Sequence, residues 1–399
     1  MLRGEASGAV LHQLWPRVCG VAVAVSCALL MGADASTGHV AATVSSTGDQ
    51  QALALASALS ARQLAGQRVI YSYSGRTPPA SLLQLIRLGD VGGVIFFGSN
   101  FRNKAQFTAA VGQLETANAS TSNPARKYPL LLMTDQEGGE VRRLPGAPVR
   151  SEKWIGSRPT PAARAFQARS AGKAAGENLL SFGLNVNLAP VLDVYRAAGD
   201  FDDQFQRSYS MNPSVVSTLG ADFIRAQQAT GVVATAKHFP GLGAATASQN
   251  TDDRPVAIRL PAKALRSVDE YPYQAAIAAG VKLVMVSWAR YPALGSGLPA
   301  GLSSVIVKGQ LRQRLGFTGV TITDAIGAGA LTAFGSPSNR ALKAAQAGMQ
   351  LILSAAQTPT EGQQCLAGLL SGFRSGALSK SAFRATVAQI LRLRASLPA

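Results

Sequence analysis

The sequence predicts an α/β fold, a single (β/α)8 barrel of the TIM type, on three observations. Eight short apolar or β-branched runs punctuate the chain. They alternate strictly with longer Ala-, Leu- and Gln-rich segments of helical spacing, which implies parallel strands joined by crossover helices. Eight such units are what a closed barrel needs. Finally, the polar residues with most chemical potential lie just past the C-terminal ends of the runs, on the rim where barrels of this kind work. An open doubly wound sheet is the competing layout, but no glycine-rich phosphate fingerprint opens the first strand.

Taken in order, residues 1–35 read as a signal peptide. Arg3 and Arg17 flank the start, Val18–Met31 is apolar, and Ala33-Asp34-Ala35 gives a small-x-small cleavage site. The run is short for a permanent membrane span, so the protein is expected to be exported: secreted, periplasmic or associated with the cell envelope. Ala24-Val25-Ser26-Cys27 resembles a lipoprotein site that would make Cys27 a lipid anchor, but the apolar Ala28–Met31 is a poor start for a mature lipoprotein. Simple secretion is the preferred expectation. Cys19 also lies in the leader, so Cys365 would stand alone and form no internal disulfide. Residues 36–50, rich in Ser, Thr, Gly and Ala, read as a flexible lead-in.

The barrel is expected over residues 51–399, with strands at Arg68–Tyr73, Gly93–Phe97, Pro129–Thr134, Leu184–Leu188, Val232–Ala236, Lys282–Ser287, Gly319–Thr323 and Gln350–Ser354. Ala162–Phe182 and Ser214–Thr230 have helical spacing. The closing segment Ser379–Leu397 puts Phe383, Val387, Ile390 and Leu391 on one helical face, expected to pack on the outside of the barrel with no second domain after it.

Composition narrows the function. With 47% hydrophobic and 15% charged residues the chain can bury a large core. A net charge of +17 favours acidic neighbours such as anionic cell-wall polymers. Nucleic acid is not expected, because no basic helix with interleaved aromatics is present. No cluster of His, Cys and acids has metal-ligand spacing, so neither a metal nor another cofactor is expected.

The rim residues are specific. The third run leads into Asp135-Gln136-Glu137-Gly138-Gly139-Glu140-Val141-Arg142-Arg143, the fourth into Asp193 and then Arg207-Ser208-Tyr209, the fifth into Lys237-His238-Phe239-Pro240-Gly241. Asp135 can be read as a helix cap or a ligand contact, Gly138-Gly139 as a tight turn or a close backbone approach, and Asp193 equally as structural or functional. Asp324 ends the buried run Val320–Thr323, where a carboxylate is costly unless paired or used. The small residues Ala325–Ala330 leave space around it.

Together these segments resemble glycoside hydrolase family 3, in its single-domain β-N-acetylhexosaminidase branch. The stretches that carry the resemblance are Thr134–Arg143, Leu188–Val194, Arg207–Tyr209, Lys237–Gly243, Leu298–Ser303, Leu311–Gly319 and Thr321–Ala330. They occur in the family's order and span most of the chain from about residue 65. The resemblance implies a retaining exo-glycosidase acting on GlcNAc-containing glycans, with Asp324 as nucleophile. It also implies that Asp135, Arg143, Arg207, Lys237 and His238 hold the sugar. In one respect the sequence departs from the pattern. The family branch uses an Asp and a His in the loop after the fifth strand as general acid/base, and Ser248 and Asn250 stand in their places. Neither can exchange a proton near neutral pH. Histidine occurs only at positions 12, 39 and 238, so none is spare. Asp252 or Asp253, with Asp252 preferred, would have to serve as the acid; a poor acid would restrict the enzyme to good leaving groups. The alternative is a carbohydrate-binding envelope protein without catalysis. A β-glucosidase or β-xylosidase is not expected, because larger relatives of that kind carry their acid on a further domain.

Overall fold

The computed structural model describes residues 35–295 and 297–398. The leader, with Cys19 and Cys27 and its processing signals, lies outside the described residues apart from Ala35. The chain divides between Val44 and Ser45. Of the first part, the described backbone is helical. The helix runs Ala35–Ala58, which corrects the expected flexible lead-in. In the second part Ala52 and Ala56 are buried.

Eight parallel strands close the barrel: β1 (Val69–Tyr71), β2 (Gly93–Ile95), β3 (Leu131–Thr134), β4 (Val186–Asn187), β5 (Val233–Phe239), β6 (Leu283–Val286), β7 (Val320–Ala325) and β8 (Leu351–Leu353). Each falls within or across its expected run. β8 pairs with β1 at Ile352↔Val69 and Leu353↔Ile70, sealing the cylinder. Alternation sorts the side chains. Ile70, Ile95, Leu131, Met133, Val186 and Ile322 pack within the barrel, whereas Val69, Tyr71, Val94, Leu132 and Val284 join the larger core beneath the helices.

The helices expected at 162–182 and 214–230 are Pro161–Leu180 and Pro213–Gln228, each with proline in its first turn and a capping side chain, Thr160 and Asn212. The last helix, Lys380–Ala395, departs from expectation. Phe383, Val387 and Leu391 pack into the outer core, but Ile390 and Leu393 join the barrel interior. Arg394, fully buried, explains the seat. It donates to the carbonyls of Pro129 and Tyr128, each at 2.7 Å, and to the Gln67 side chain. Those partners precede β1 and β3, so the helix closes the N-terminal end of the barrel, opposite the rim formed by the C-terminal strand ends.

Candidate active site

At the C-terminal ends of the strands a cavity of about 540 Å³ opens to solvent, and Asp135, Arg143, Arg207, Lys237, His238, Asp252 and Asp324 all line it. These seven residues therefore converge on one cavity, although they come from four strand-to-helix loops or strand ends; Asp193, Ser248 and Asp253 are not in its lining. The floor is apolar, made by Ile95, Leu188, Met285 and Leu353 of the barrel interior.

Asp135 follows β3 directly. The chain then turns in a small hairpin, Gln136–Gly138 against Val141–Arg142, which returns Arg143 to its partner: Arg143 N donates to Asp135 O at 3.2 Å, and the side chains lie 4.0 Å apart. Gly138 and Gly139 have φ of 109° and 58°. A Cβ on either would collide with Arg150 or Ser151, so the pair serves the turn rather than a ligand approach.

A buried ion network stands behind the cavity. Arg207 binds Glu137 through Nε and Nη2 at 2.9 and 3.0 Å, and Asp202 through Nη1 at 3.0 Å. Lys237 Nζ bonds Asp135 at 2.7 Å and Glu137 at 2.6 Å. Burial alone would raise the Glu137 pKa; Arg207 and Lys237 more than reverse it, holding Glu137 at about 2. Burial likewise opposes the charge on Lys237, but Asp135 and Glu137 raise its pKa and keep it a cation. Both basic side chains are thus fixed as charged donors.

His238 has a different partner. Its Nδ1 lies 2.6 Å from Asp193 Oδ2, which leaves Nε2 as the free ring nitrogen. Burial and the nearby Arg207 lower its pKa to about 4, so the ring is neutral at physiological pH. Asp193 also accepts from Leu242 N at 2.5 Å and His238 N at 3.3 Å, and burial raises its pKa to about 6. Burial and Asp193 push Asp202 up to about 7. Asp193, Asp202 and His238 place ligand-type atoms within 4.8 Å of one another. Asp202 Oδ1 is engaged with Arg207, Asp193 with backbone amides and with His238 Nδ1, while Asp202 Oδ2 has no hydrogen-bond partner among the described residues.

Asp324 lies near the end of β7 with Oδ1 accepting from Ala325 N at 2.7 Å. Burial and then Asp252 raise its pKa, against the pull of His238, Ala325 N and Lys237. Asp252 comes from the long loop after β5. That loop is clamped to the one after β7: Gly329 N donates to Asp252 O at 2.6 Å and Ala330 N to Thr251 O at 3.0 Å. Gly329 is required there, because a Cβ would collide with the carbonyls of Asp253 and Asp252. Although Asp252 is an exposed residue, its carboxyl is crowded on the cavity side. Desolvation raises its pKa, with Asp253 and Asp135 adding to the rise and Arg207 opposing it. Ser248 is exposed and outside the cavity lining. Asn250 lines the cavity, accepts from Asp252 N at 3.0 Å and donates to Asp253 Oδ2 at 2.9 Å, so it shapes the Asp252 turn.

Sequence reasoning passed over Glu137, Asp202 and Phe205. Glu137 had a usable signal, since it sits two residues after Asp135 in the hairpin strand. Asp202 and Phe205 lie in a short helix, Phe201–Gln204, and just after it, where no periodicity announces them.

A parallel barrel with such a constellation of carboxylates and basic donors at its rim defines a glycosidase. The chain matches the Glycosyl hydrolase family 3 N terminal domain over residues 62–393 and belongs to that family. It is 42% identical over 335 residues to the "Uncharacterized secreted glycosyl hydrolase" of Arthroderma benhamiae, covering 84% of this chain and 93% of that one. It superposes on a family 3 β-N-acetylglucosaminidase from Paenibacillus sp. str. FPU-7 with a TM-score of 0.78 and 32% identity, over 85% of this chain and 63% of that one. It superposes on the β-N-acetylhexosaminidase of Beutenbergia cavernae with a TM-score of 0.74 and 28% identity, over 84% and 99%. The chain therefore spans the whole of one such enzyme and less than two thirds of the other. None of these relatives supports the non-catalytic alternative. Among the described residues, no helix is long and apolar enough to cross a membrane.

Proposed function

We propose that the protein is a retaining exo-β-N-acetylhexosaminidase that removes GlcNAc from glycans outside the cytoplasm, with residues 1–35 directing export and residues 51–399 forming the catalytic barrel. The observation that carries this reading is the convergence of Asp324 with Asp135, Arg143, Arg207, Lys237 and His238 on one cavity. The names of the relatives favour GlcNAc as the sugar. In this reading the Asp324 carboxylate attacks the anomeric carbon to form a covalent glycosyl-enzyme. Asp252 gives its proton to the departing glycosidic oxygen. A water then attacks the same carbon, Asp252 takes the water's proton, and Asp324 leaves as a carboxylate. The rigid mount of Asp324 near a strand end suits the first step, since small misplacements cost much rate. Desolvation and the neighbouring Asp253 and Asp135 raise the Asp252 pKa, the direction a general acid needs. The net charge of +17 suits work beside anionic wall polymers.

The test is hydrolysis of an aryl β-GlcNAc glycoside followed by NMR. The expected first product is β-GlcNAc, with retention. Asp324→Gly should lower kcat by at least ~10³-fold, and added azide should restore turnover as α-glycosyl azide. Inversion, or a wild-type rate in Asp324→Gly, overturns the reading.

A further inference from the structure

The cavity has an exposed aromatic edge that the reaction described above leaves without a role. Its deep residues are buried, Lys237 at 2% exposure and His238 at 6%, whereas Glu140, Arg143, Phe205 and Asp252 are exposed and so mark the mouth. Three of those four are charged. Phe205 is the exception, a phenyl ring left 40% exposed. It is not loosely held. Phe201, also lining the cavity, meets it edge-on with centroids 5.6 Å apart at 77°. The helix that carries Phe201 is tied to the Asp252 loop, with Phe201 N donating to Ala245 O at 2.9 Å and Gln204 Nε2 to Ala247 O at 3.1 Å. Gln206, between Phe205 and Arg207, takes a φ of 55°, one of two positive values among the described non-glycine residues. Its carbonyl accepts from Lys153 N at 3.2 Å and its side chain from Ser151 Oγ at 3.0 Å, so this conformation is fixed from both ends. Phe205 is thereby aimed while the next residue but one is aimed as a sugar-binding cation.

We propose that Phe205, braced by Phe201, is the platform of the leaving-group subsite, and that it takes the apolar face of a second pyranose ring. The inference rests on the hydrolase reading. The polar depth of the cavity, with its fixed cations and Asp324, matches the hydroxyl-rich edge of the sugar being cleaved. The group it leaves behind must lie toward the mouth, on the Asp252 side, where Phe205 stands. A pyranose with equatorial substituents presents C–H bonds on its faces, which an aromatic face can cover without desolvating hydroxyls. The preferred substrates are then β-linked di- or oligosaccharides rather than GlcNAc on a small or strongly polar aglycone.

Binding measured by calorimetry in the catalytically silent Asp324→Asn protein tests this independently of turnover. Chitobiose should bind at least ~10-fold more tightly than GlcNAc, and Phe205→Ala should remove most of that ratio while leaving GlcNAc affinity within ~2-fold. Phe205→Trp should keep the ratio. In the otherwise wild-type enzyme, Phe205→Ala should raise KM for chitobiose about tenfold and lower the fraction of transglycosylation. Equal loss for both sugars would mean that Phe205 serves the first sugar or the fold, and no loss for either would mean that it touches nothing; each overturns the platform. Wild-type protein that binds chitobiose through Phe205 yet cleaves no GlcNAc glycoside would overturn the hydrolase reading and keep the platform.

Discussion

Replacing Arg207 by methionine would remove the cation that binds two buried carboxylates at once. Glu137 would keep Lys237, but Asp202 would lose its only cationic partner at hydrogen-bond distance among the described residues. The depression of Glu137 from 4.5 to about 2 corresponds to about 3 kcal/mol of preference for its ionised form, shared between Arg207 and Lys237. Removing one partner of such a buried pair costs about 3–5 kcal/mol, because the charge left behind has no water to turn to. With an unfolding entropy of about 2 cal/mol/K per residue over about 350 residues, the melting temperature should fall by about 4–7 °C. Glu137 stabilises the fold fully above pH 4.5, and that stabilisation is lost as pH falls toward 2. In the variant its pKa rises, so the gap in stability between wild type and Arg207→Met should narrow as the pH drops through that window. Denaturant unfolding of Arg207→Met, Glu137→Gln and the double variant reads the coupling directly. The double variant should lose about 1–3 kcal/mol less than the sum of the singles. Additivity within about 0.5 kcal/mol would refute the claim that this pair holds the site together.

Gly329→Ala should displace Asp252 by collision with the carbonyls beneath it. Kinetics should show kcat/KM falling at least ~10-fold for poor leaving groups and less for 4-nitrophenol, because only the former need the acid. Asp202 has its pKa raised to about 7, so its contribution to stability is present below its ordinary value of 3.8 and is lost as pH rises through about 7. Asp202→Asn should therefore flatten the decline in stability between pH 5 and pH 8, measured by thermal scans across that range. His238, lowered to about 4, is neutral throughout, so the pH profile of kcat/KM should show no limb near the ordinary histidine value of 6.5. Arg394→Met strands buried carbonyls at the far end of the barrel and should cost about 2–4 kcal/mol, with kcat of the folded protein unchanged.

The barrel was legible because its strands are short and buried on both faces, so they read as apolar or β-branched runs such as Leu130–Met133 and Val320–Thr323. The site was legible for a related reason. A charge just past a buried run, as at Asp135, Lys237 or Asp324, must be paired or used, and the topology gathers those positions onto one rim. Illegible residues are those whose role depends on distant partners. Asp193 looked no more functional than structural until the fold set it against His238 Nδ1. The closing helix gave no sign that it would plug the barrel, because an arginine among Leu393 and Ala395 reads as a solvated charge until buried carbonyls are found around it.

The account depends most on which carboxylate carries the sugar during turnover. Brief reaction with a fluorinated GlcNAc glycoside that slows deglycosylation, followed by peptide mass spectrometry, should find one added sugar mass on the peptide containing Asp324 and none in Asp324→Asn. A label on Asp252, on Asp135 or on no residue of an inactivated enzyme would contradict it.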